Sequence, residues 1–344
     1  MTADPTFQSS AAYGLMLHRD GDEAGASAAG MERIAIVQTS LADLPPIPAE
    51  VPVVSFMREV WTDAGLRIDV LRAEGSPERG YATRLEPDGQ RLLFACNPAV
   101  SFADIWLHFT RYLVRRLLVA RGALLLHGNL MQADGRCVAL LGPSGAGKSS
   151  LSVALLRAGA RPLADDVVRP VSRDGGWAAW PGFTEILIEE EAMGALGVDP
   201  AACAPFWKEA GTQLQKFAIV ADHGDGAAPT GPVPLAGIFV LQPRGGVETP
   251  RLRHMKGVAA FASLAPHAGL NEPGPHRAAR TRGLLDLAGA VPVWLVDRPN
   301  DVGALGATAS AILTAARPGA SSLGVRPEEA RSPAPATGGG SRGA

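Results

Sequence analysis

One run of eight residues in this 344-residue chain has both the residue types and the spacing to hold phosphate. Gly142-Pro143-Ser144-Gly145-Ala146-Gly147-Lys148-Ser149 follows the pattern G-x-x-x-x-G-K-[ST] throughout. Glycines there let successive backbone N–H groups turn toward phosphate oxygens, and a helix start adds partial positive charge to the same nest. Lys148 offers a mobile cation to the outer phosphates and Ser149 a hydroxyl ligand for Mg²⁺, while Ser150 completes the set expected to touch nucleotide. The pattern points to a nucleotide without choosing a reaction, because ATPases, GTPases, transporters and small-molecule kinases all use it.

A second feature narrows the choice. Asp165-Asp166 lies seventeen residues after Lys148, at the end of a short apolar run. Adjacent carboxylates at a strand end point to opposite sides of the chain, so one can face a metal and the other an incoming hydroxyl. A carboxylate beside such a hydroxyl can take its proton as the phosphoryl group moves. Alone, an Asp-Asp pair is more often a solvated turn; its place behind a phosphate loop favours the functional reading. His127, in Leu124-Leu125-Leu126-His127-Gly128, is an ionisable group inside an apolar strand and needs a partner there. Glu185, Glu189, Glu190 and Glu191 form an acidic cluster that reads first as a solvated face. Arg244, Arg251 and Arg253 are candidates for clamping phosphate, and the sequence does not choose among them.

The elements that must position these groups are partly legible. Residues 123–131 and 137–141 read as strands joined by Ala133-Asp134-Gly135-Arg136, whose Asp-Gly pair signals a hairpin. The second strand runs into the phosphate loop. Residues 148–158 then read as a helix with Leu151, Ala154, Leu155 and Ala158 on one face and Gly159 as its left-handed cap. Residues 161–168 read as one further strand. Upstream, Phe102, Ile105, Trp106, Phe109, Leu113 and Leu117 recur at helical steps from Ser101, a natural N-cap, with Arg111, Arg115 and Arg116 to one side and Gly122 as the stop. Downstream, strands at 235–241 and 291–296 alternate with helices at 257–264, 282–288 and 302–316. The expectation is an α/β fold with a mixed sheet, because the hairpin beside the loop is antiparallel.

Composition bounds the rest. A net charge of −2 gives no footprint for nucleic acid or an anionic membrane. Cys96, Cys137 and Cys203 have neither disulfide-framework nor zinc spacing, which favours a reducing compartment. The first thirty residues lack a basic start followed by an apolar stretch, and no run suffices to span a bilayer, so a cytoplasmic protein without membrane contact is expected. Residues 1–30 and 318–344 are small and polar, and are expected to be poorly ordered. Between them, residues 31–100 read as a small N-terminal region of short strands and hairpins, and 101–317 as the phosphate-loop domain.

Taken together, His127-Gly128, the loop at 142–149 and Asp165-Asp166 resemble the catalytic domain of HPr kinase/phosphorylase and its wider kinase relatives. The likeness is good over 124–168 and weaker from 180 to about 316. It implies a phosphate-loop kinase domain similar to phosphoenolpyruvate carboxykinase, preceded here by a small α+β region. It also implies ATP and Mg²⁺ as cofactors, Asp165 near the metal with Ser149, Asp166 as general base, and His127 and Lys148 near the transferred phosphate. Lys216 lies where such relatives often place a basic residue close to substrate. A homo-oligomer is implied as well.

The segment Trp180-Pro181-Gly182-Phe183-Thr184-Glu185-Ile186-Leu187 lacks the family's glycine-containing segment tied to phosphorolysis, which argues against the reverse reaction and against HPr as substrate. The N-terminal part does not resemble that family's regulatory domain. The sequence is more similar to HPr-kinase-related proteins of peptide-maturation neighbourhoods, which implies a peptide, protein or small-molecule acceptor with a hydroxyl, and a PqqD-like peptide-binding protein as partner. The leading expectation is a kinase acting on such a hydroxyl. A catalytically weak ATP-binding module in a peptide-modification assembly stays open beside it, and a motion-driving ATPase is the third reading.

Overall fold

A computed structural model of the chain describes residues 10–19, 31–54, 57–72, 77–99, 113–173, 175–208, 215–220, 229–243, 246–270 and 276–318. The chain enters through β1 (Ser10–Ala12), β2 (Leu15–Arg19), β3 (Glu32–Gln38), β4 (Met57–Thr62), β5 (Gly65–Leu71), β6 (Arg79–Leu85) and β7 (Arg91–Cys96). These form one seven-stranded sheet in the order β1-β2-β3-β7-β6-β5-β4. From β4 to β7 it is an antiparallel meander, whereas β2, β3 and β7 run parallel.

Two expectations change here. Ser10 to Arg19, placed with the poorly ordered start, are two strands of this sheet, and Tyr13, Leu15 and Leu17 are buried. The region read as α+β has no helix among its described residues. Its core is also shared: Leu17, Ile34 and Leu92 belong to the same buried cluster as Leu117, Leu126 and Leu284.

The second sheet carries the glycine-rich loop at 142–149. After α1 (Val114–Ala120) come β8 (Leu126–Ala133), β9 (Arg136–Leu141), α2 (Lys148–Arg157), β10 (Arg161–Ala164), β11 (Val167–Arg173) and β12 (Gly176–Trp180). Then follow β13 (Ile186–Glu189), α3 (Glu190–Leu196), β14 (Ala204–Lys208), β15 (Gln215–Ile219), β16 (Val233–Leu241) and β17 (Arg251–Met255). The chain finishes with α4 (Gly257–Leu264), α5 (Arg277–Ala290), β18 (Val293–Asp297) and α6 (Leu305–Ala315). The fold is mixed α/β. The N-terminal half of the helix expected from Ser101, with Phe102, Asp104, Ile105, Trp106, Phe109 and Arg111, lies outside the described residues, as does 319–344. No helix among the described residues is long and apolar enough to cross a membrane.

Strand β9 shows why its sequence is apolar at every position. Cys137, Ala139 and Leu141 join one core cluster, and Val138 and Leu140 join the other. A strand with both faces covered has no solvent side to alternate with. Leu264 of α4 and Leu284 and Leu287 of α5 lie in the first cluster; Leu151 and Leu155 of α2 and Leu305 and Ile312 of α6 lie in the second. Helices therefore flank this sheet in the manner of an α/β layer. Its centre is parallel, with β9, β16 and β18 side by side, and the remaining pairings are antiparallel. Successive pairings of β8, β9, β16, β12 and β11 return to β8, so these five strands close on themselves. A smaller sheet, β13-β15-β14, packs beside them.

Candidate active site

The parallel strands β9, β16 and β18 end on the same side, the side on which open α/β sheets bind ligands. The loop leaves β9 there with Gly142, Gly145 and Gly147 at φ +157°, +72° and +84°. A Cβ on Gly142 would approach Ala146 Cβ to 3.1 Å and Leu241 Cβ to 3.2 Å, so a side chain at this tight exit from the strand would press on both neighbours. Gly147 caps α2 in the left-handed conformation, and the Leu151 N–H closes the first turn on the Gly147 carbonyl at 3.0 Å. The N–H groups of Lys148, Ser149 and Ser150 thus have no intrahelical acceptor, as at any helix start. Lys148 Nζ donates to the carbonyls of Gly142 (2.9 Å) and Pro143 (3.3 Å). Burial lowers its pKa and Lys216 adds to this, while Asp166 and Asp165 oppose it. Those four charges share one neighbourhood.

Strands β10 and β11 are not the single strand expected over 161–168. Both pair with the same edge of β8, Ala164 opposite Leu130 and Val167 opposite His127, and Asp165-Asp166 fill the break between them. Asp166 lies at φ +68°, a region that Asp tolerates better than most residues. The two carboxylates take different partners, Asp165 the Leu187 N–H and Asp166 the His127 ring, with the left-handed residue between the two strand segments instead of the pleat of a continuous strand.

Asp165 is 7% exposed. Its carboxylate accepts the Leu187 N–H at 3.0 Å, its N–H donates to Phe183 O at 3.0 Å, and its carbonyl accepts the Tyr13 hydroxyl at 3.2 Å. Asp166, with a side chain 60% exposed, holds Oδ1 3.1 Å from His127 Nδ1, which is also 3.1 Å from the Asp166 carbonyl. Although the carboxylate has an open side, partial loss of solvent to the surrounding chain acts to raise the Asp166 pKa, but the hydrogen bond and charge of His127, with Arg115 and Lys216, outweigh it and leave the carboxyl below its ordinary value. His127 therefore has the partner its apolar strand demanded.

Other candidates sort themselves by position. Lys216 faces Glu189 across β15 and β13, and its charge reaches Lys148 and Asp166. Glu189, Glu190 and Glu191 are exposed, and Glu185 is half-buried. Arg253 is paired with Asp297 at 2.9 Å on the edge strand, Arg251 is exposed beside it, and Arg244 lies outside the described residues. Among the described residues, no three His, Cys, Asp or Glu side chains come together as a self-sufficient metal site.

Three residues of this neighbourhood escape sequence reasoning. Arg298 is 3% exposed, directly follows β18, and its guanidinium donates to the Ala146 carbonyl of the loop. His267 ends the 3-10 turn after α4 and lines a cleft with His127 and Asp166. Burial, with the charges of His127 and Lys148, pushes its pKa down to about 4. Tyr13 is the third. Only Arg298 carries a local signal, a cation at the carboxyl end of a strand in the same sheet as the strand that enters the glycine-rich loop.

No protein-family model matches this chain, and no curated protein matches it. Among solved structures it is similar to the HPr(Ser) kinase/phosphatase from Coxiella burnetii, at 14% identity and a TM-score of 0.24, over 51% of this chain and 85% of that one.

Proposed function

We propose that this chain is an ATP- and Mg²⁺-dependent kinase that moves the γ-phosphoryl group onto a hydroxyl of a peptide, protein or small molecule. The observation that carries the reading is the placement of Asp166: an ionised carboxylate, oriented by His127, within electrostatic range of the phosphate-loop lysine. A nucleotide switch needs the loop but has no use for such a carboxylate.

The residues present fit the cofactors. Left-handed glycines shape the cradle, the first turn of α2 presents N–H groups, and Lys148 would exchange its loop carbonyls for phosphate oxygens. Mg²⁺ commonly takes one or two protein oxygens and completes its shell with phosphate and water, and Ser149 and Asp165 would be those protein ligands. When bound, it neutralises charge on the β- and γ-phosphates. Arg298 steadies the loop through Ala146. Asp166 accepts the proton of the incoming hydroxyl, and His127 keeps the carboxylate aimed. Because phosphoryl transfer passes through a loose transition state, positioning counts for more than basicity, so a lowered pKa at Asp166 is no handicap.

Incubation of the protein with Mg²⁺ and γ-labelled ATP, together with candidate peptides and small hydroxylated acids, should label an acceptor. Release of free phosphate alone, with every acceptor unlabelled, would remove the kinase reading.

A further inference from the structure

Strand β17 stands at one end of the second sheet, paired with β18 from Arg251 opposite Asp297 to Met255 opposite Val293. Among the described residues no strand pairs with its other side. Alternate N–H and C=O groups of such a strand point away from the sheet. Solvent reaches them: Arg251, Arg253 and His254 are exposed, and Leu252 and Met255 are half-buried. By contrast, β4, which ends the N-terminal sheet, keeps five of its six residues half-buried, and three of the four residues of β10 are buried.

The residues along this side are cationic. Arg251-Leu252-Arg253-His254-Met255 is followed at once by Lys256, extended and exposed ahead of α4. Asp297 takes Arg253 at 2.9 Å, whereas neither Arg251 nor Lys256 has an ion-pair partner among the described residues. Leu252 packs on one core cluster and Met255 on the other, and His254 lies against the ring of Trp294 with centroids 4.6 Å apart. The strand is thus held from both faces while its outer row of main-chain groups stays open between Arg251 and Lys256.

Those cations decide what can pair there. A second copy joined β17 to β17 would bring two sets of Arg251, Arg253 and Lys256 together, and like charges across a strand pair are unfavourable. Nucleic acid would meet the charges but make no use of the main-chain row. An extended acidic peptide uses both, through ladder bonds from its backbone and carboxylates set against cations. We propose that β17 is a docking edge for an extended acidic segment of a partner polypeptide, which joins the sheet as a further strand with alternate carboxylates facing Arg251 and Arg253. Arg251 lies level with Asp297, at the carboxyl end of β18, so one end of the docked segment points toward the side of the sheet that bears the glycine-rich loop. The binding itself does not depend on the kinase reading.

Fluorescence polarisation on the full chain compares labelled, end-blocked Glu-Val-Glu-Val-Glu with the same peptide carrying Gln in place of Glu. A third peptide, the acidic one N-methylated at its inner residues, keeps every carboxylate and loses those backbone donors. The acidic peptide should bind roughly 3- to 30-fold tighter than its Gln counterpart, the range for two or three exposed ion pairs, and the margin should shrink as salt rises. Arg251→Glu combined with Lys256→Glu should abolish that margin. Amide exchange should slow over 251–255 when the acidic peptide is added and stay unchanged over β4. Equal affinity for the Gln peptide, full binding by the N-methylated peptide, or no slowing over 251–255 would overturn the proposal. A short single-stranded DNA that displaces the acidic peptide at matched charge would also overturn it, by reassigning the cations to nucleic acid. Each readout is of binding, so an absence of phosphoryl transfer would count against the kinase reading alone.

Discussion

The hydroxyl of Tyr13 donates to the main-chain carbonyl of Asp165 at 3.2 Å, joining positions 152 residues apart. The same residue packs its ring edge-on against Phe183, with centroids 5.7 Å apart, donates its N–H to Pro181 O at 2.7 Å, and accepts from Arg169 Nη1 at 2.7 Å. Gly182 gives it room: a Cβ there would fall 2.0 Å from the Tyr13 ring. The first hairpin is thus fastened to the segment bearing the buried carboxylate. Tyr13→Phe keeps the ring and removes only the hydroxyl. It should cost about 0.5–1.5 kcal/mol in stability and lower kcat while leaving KM for ATP near wild type. A variant that melts earlier but turns over normally would make Tyr13 a packing residue and nothing more.

The acidic pair should fail in two different ways. Asp165→Asn retains an oxygen for the Leu187 N–H but is a poorer ligand for a hard cation, so Mg·ATP affinity and turnover should fall together. Asp166→Asn keeps a residue type that tolerates φ +68°, so its loss should fall on transfer, by roughly 10²–10⁴, with ATP affinity intact. Calorimetry with Mg·ATP and single-turnover transfer on both variants measure this. Small, equal effects would mean that the pair is an ordinary turn.

Arg298→Met removes the donor to the Ala146 carbonyl while retaining much of the aliphatic stem. Stability should fall by about 1–3 kcal/mol, the cost of leaving a buried acceptor unsatisfied. The loop loses its brace, so KM for ATP should rise while kcat at saturation holds. Unchanged ATP binding in a destabilised variant would confine Arg298 to the core.

His267 predicts an acid-side effect. Its folded pKa, about 4, lies below the ordinary 6.5, so between these values the unfolded chain binds more protons and stability rises with pH. Stability is therefore lost as pH falls from 6.5 toward 4. His267→Gln should lose less than the wild type between pH 7 and pH 5, by about 1–2 kcal/mol once solvent screening of a half-buried group is allowed for. Parallel denaturant titrations across that range decide it; identical pH slopes would show that the imidazole takes up protons alike in the folded and unfolded chain.

What the sequence made legible was local. The glycine-rich turn between β9 and α2, the Asp134-Gly135 hairpin and the helix from Lys148 to its left-handed Gly159 follow from residue types a few positions apart, and all stand where those types require. What it hid was non-local. Residues 161–168 looked like one strand because nothing in Leu163-Ala164-Asp165-Asp166-Val167 announces that both halves pair with the same edge of β8. Tyr13 occupies a left-handed position that its residue type disfavours, and its reasons lie at Pro181, Phe183 and Asp165. His267 acquires meaning only when the end of α4 is brought to His127.

The outer strands β1 and β2 have a further consequence. Because β2 lies parallel along β3, it satisfies a row of β3 backbone groups that would otherwise face outward. Trimming the chain at residue 30, where its composition changes, would strip that cover and present β3, with buried Ile34 and Ile36, as an open sheet margin. An exposed apolar margin is a template for another copy of itself. A shortened protein would then be expected to self-associate through β3, edge to edge, whatever its site binds.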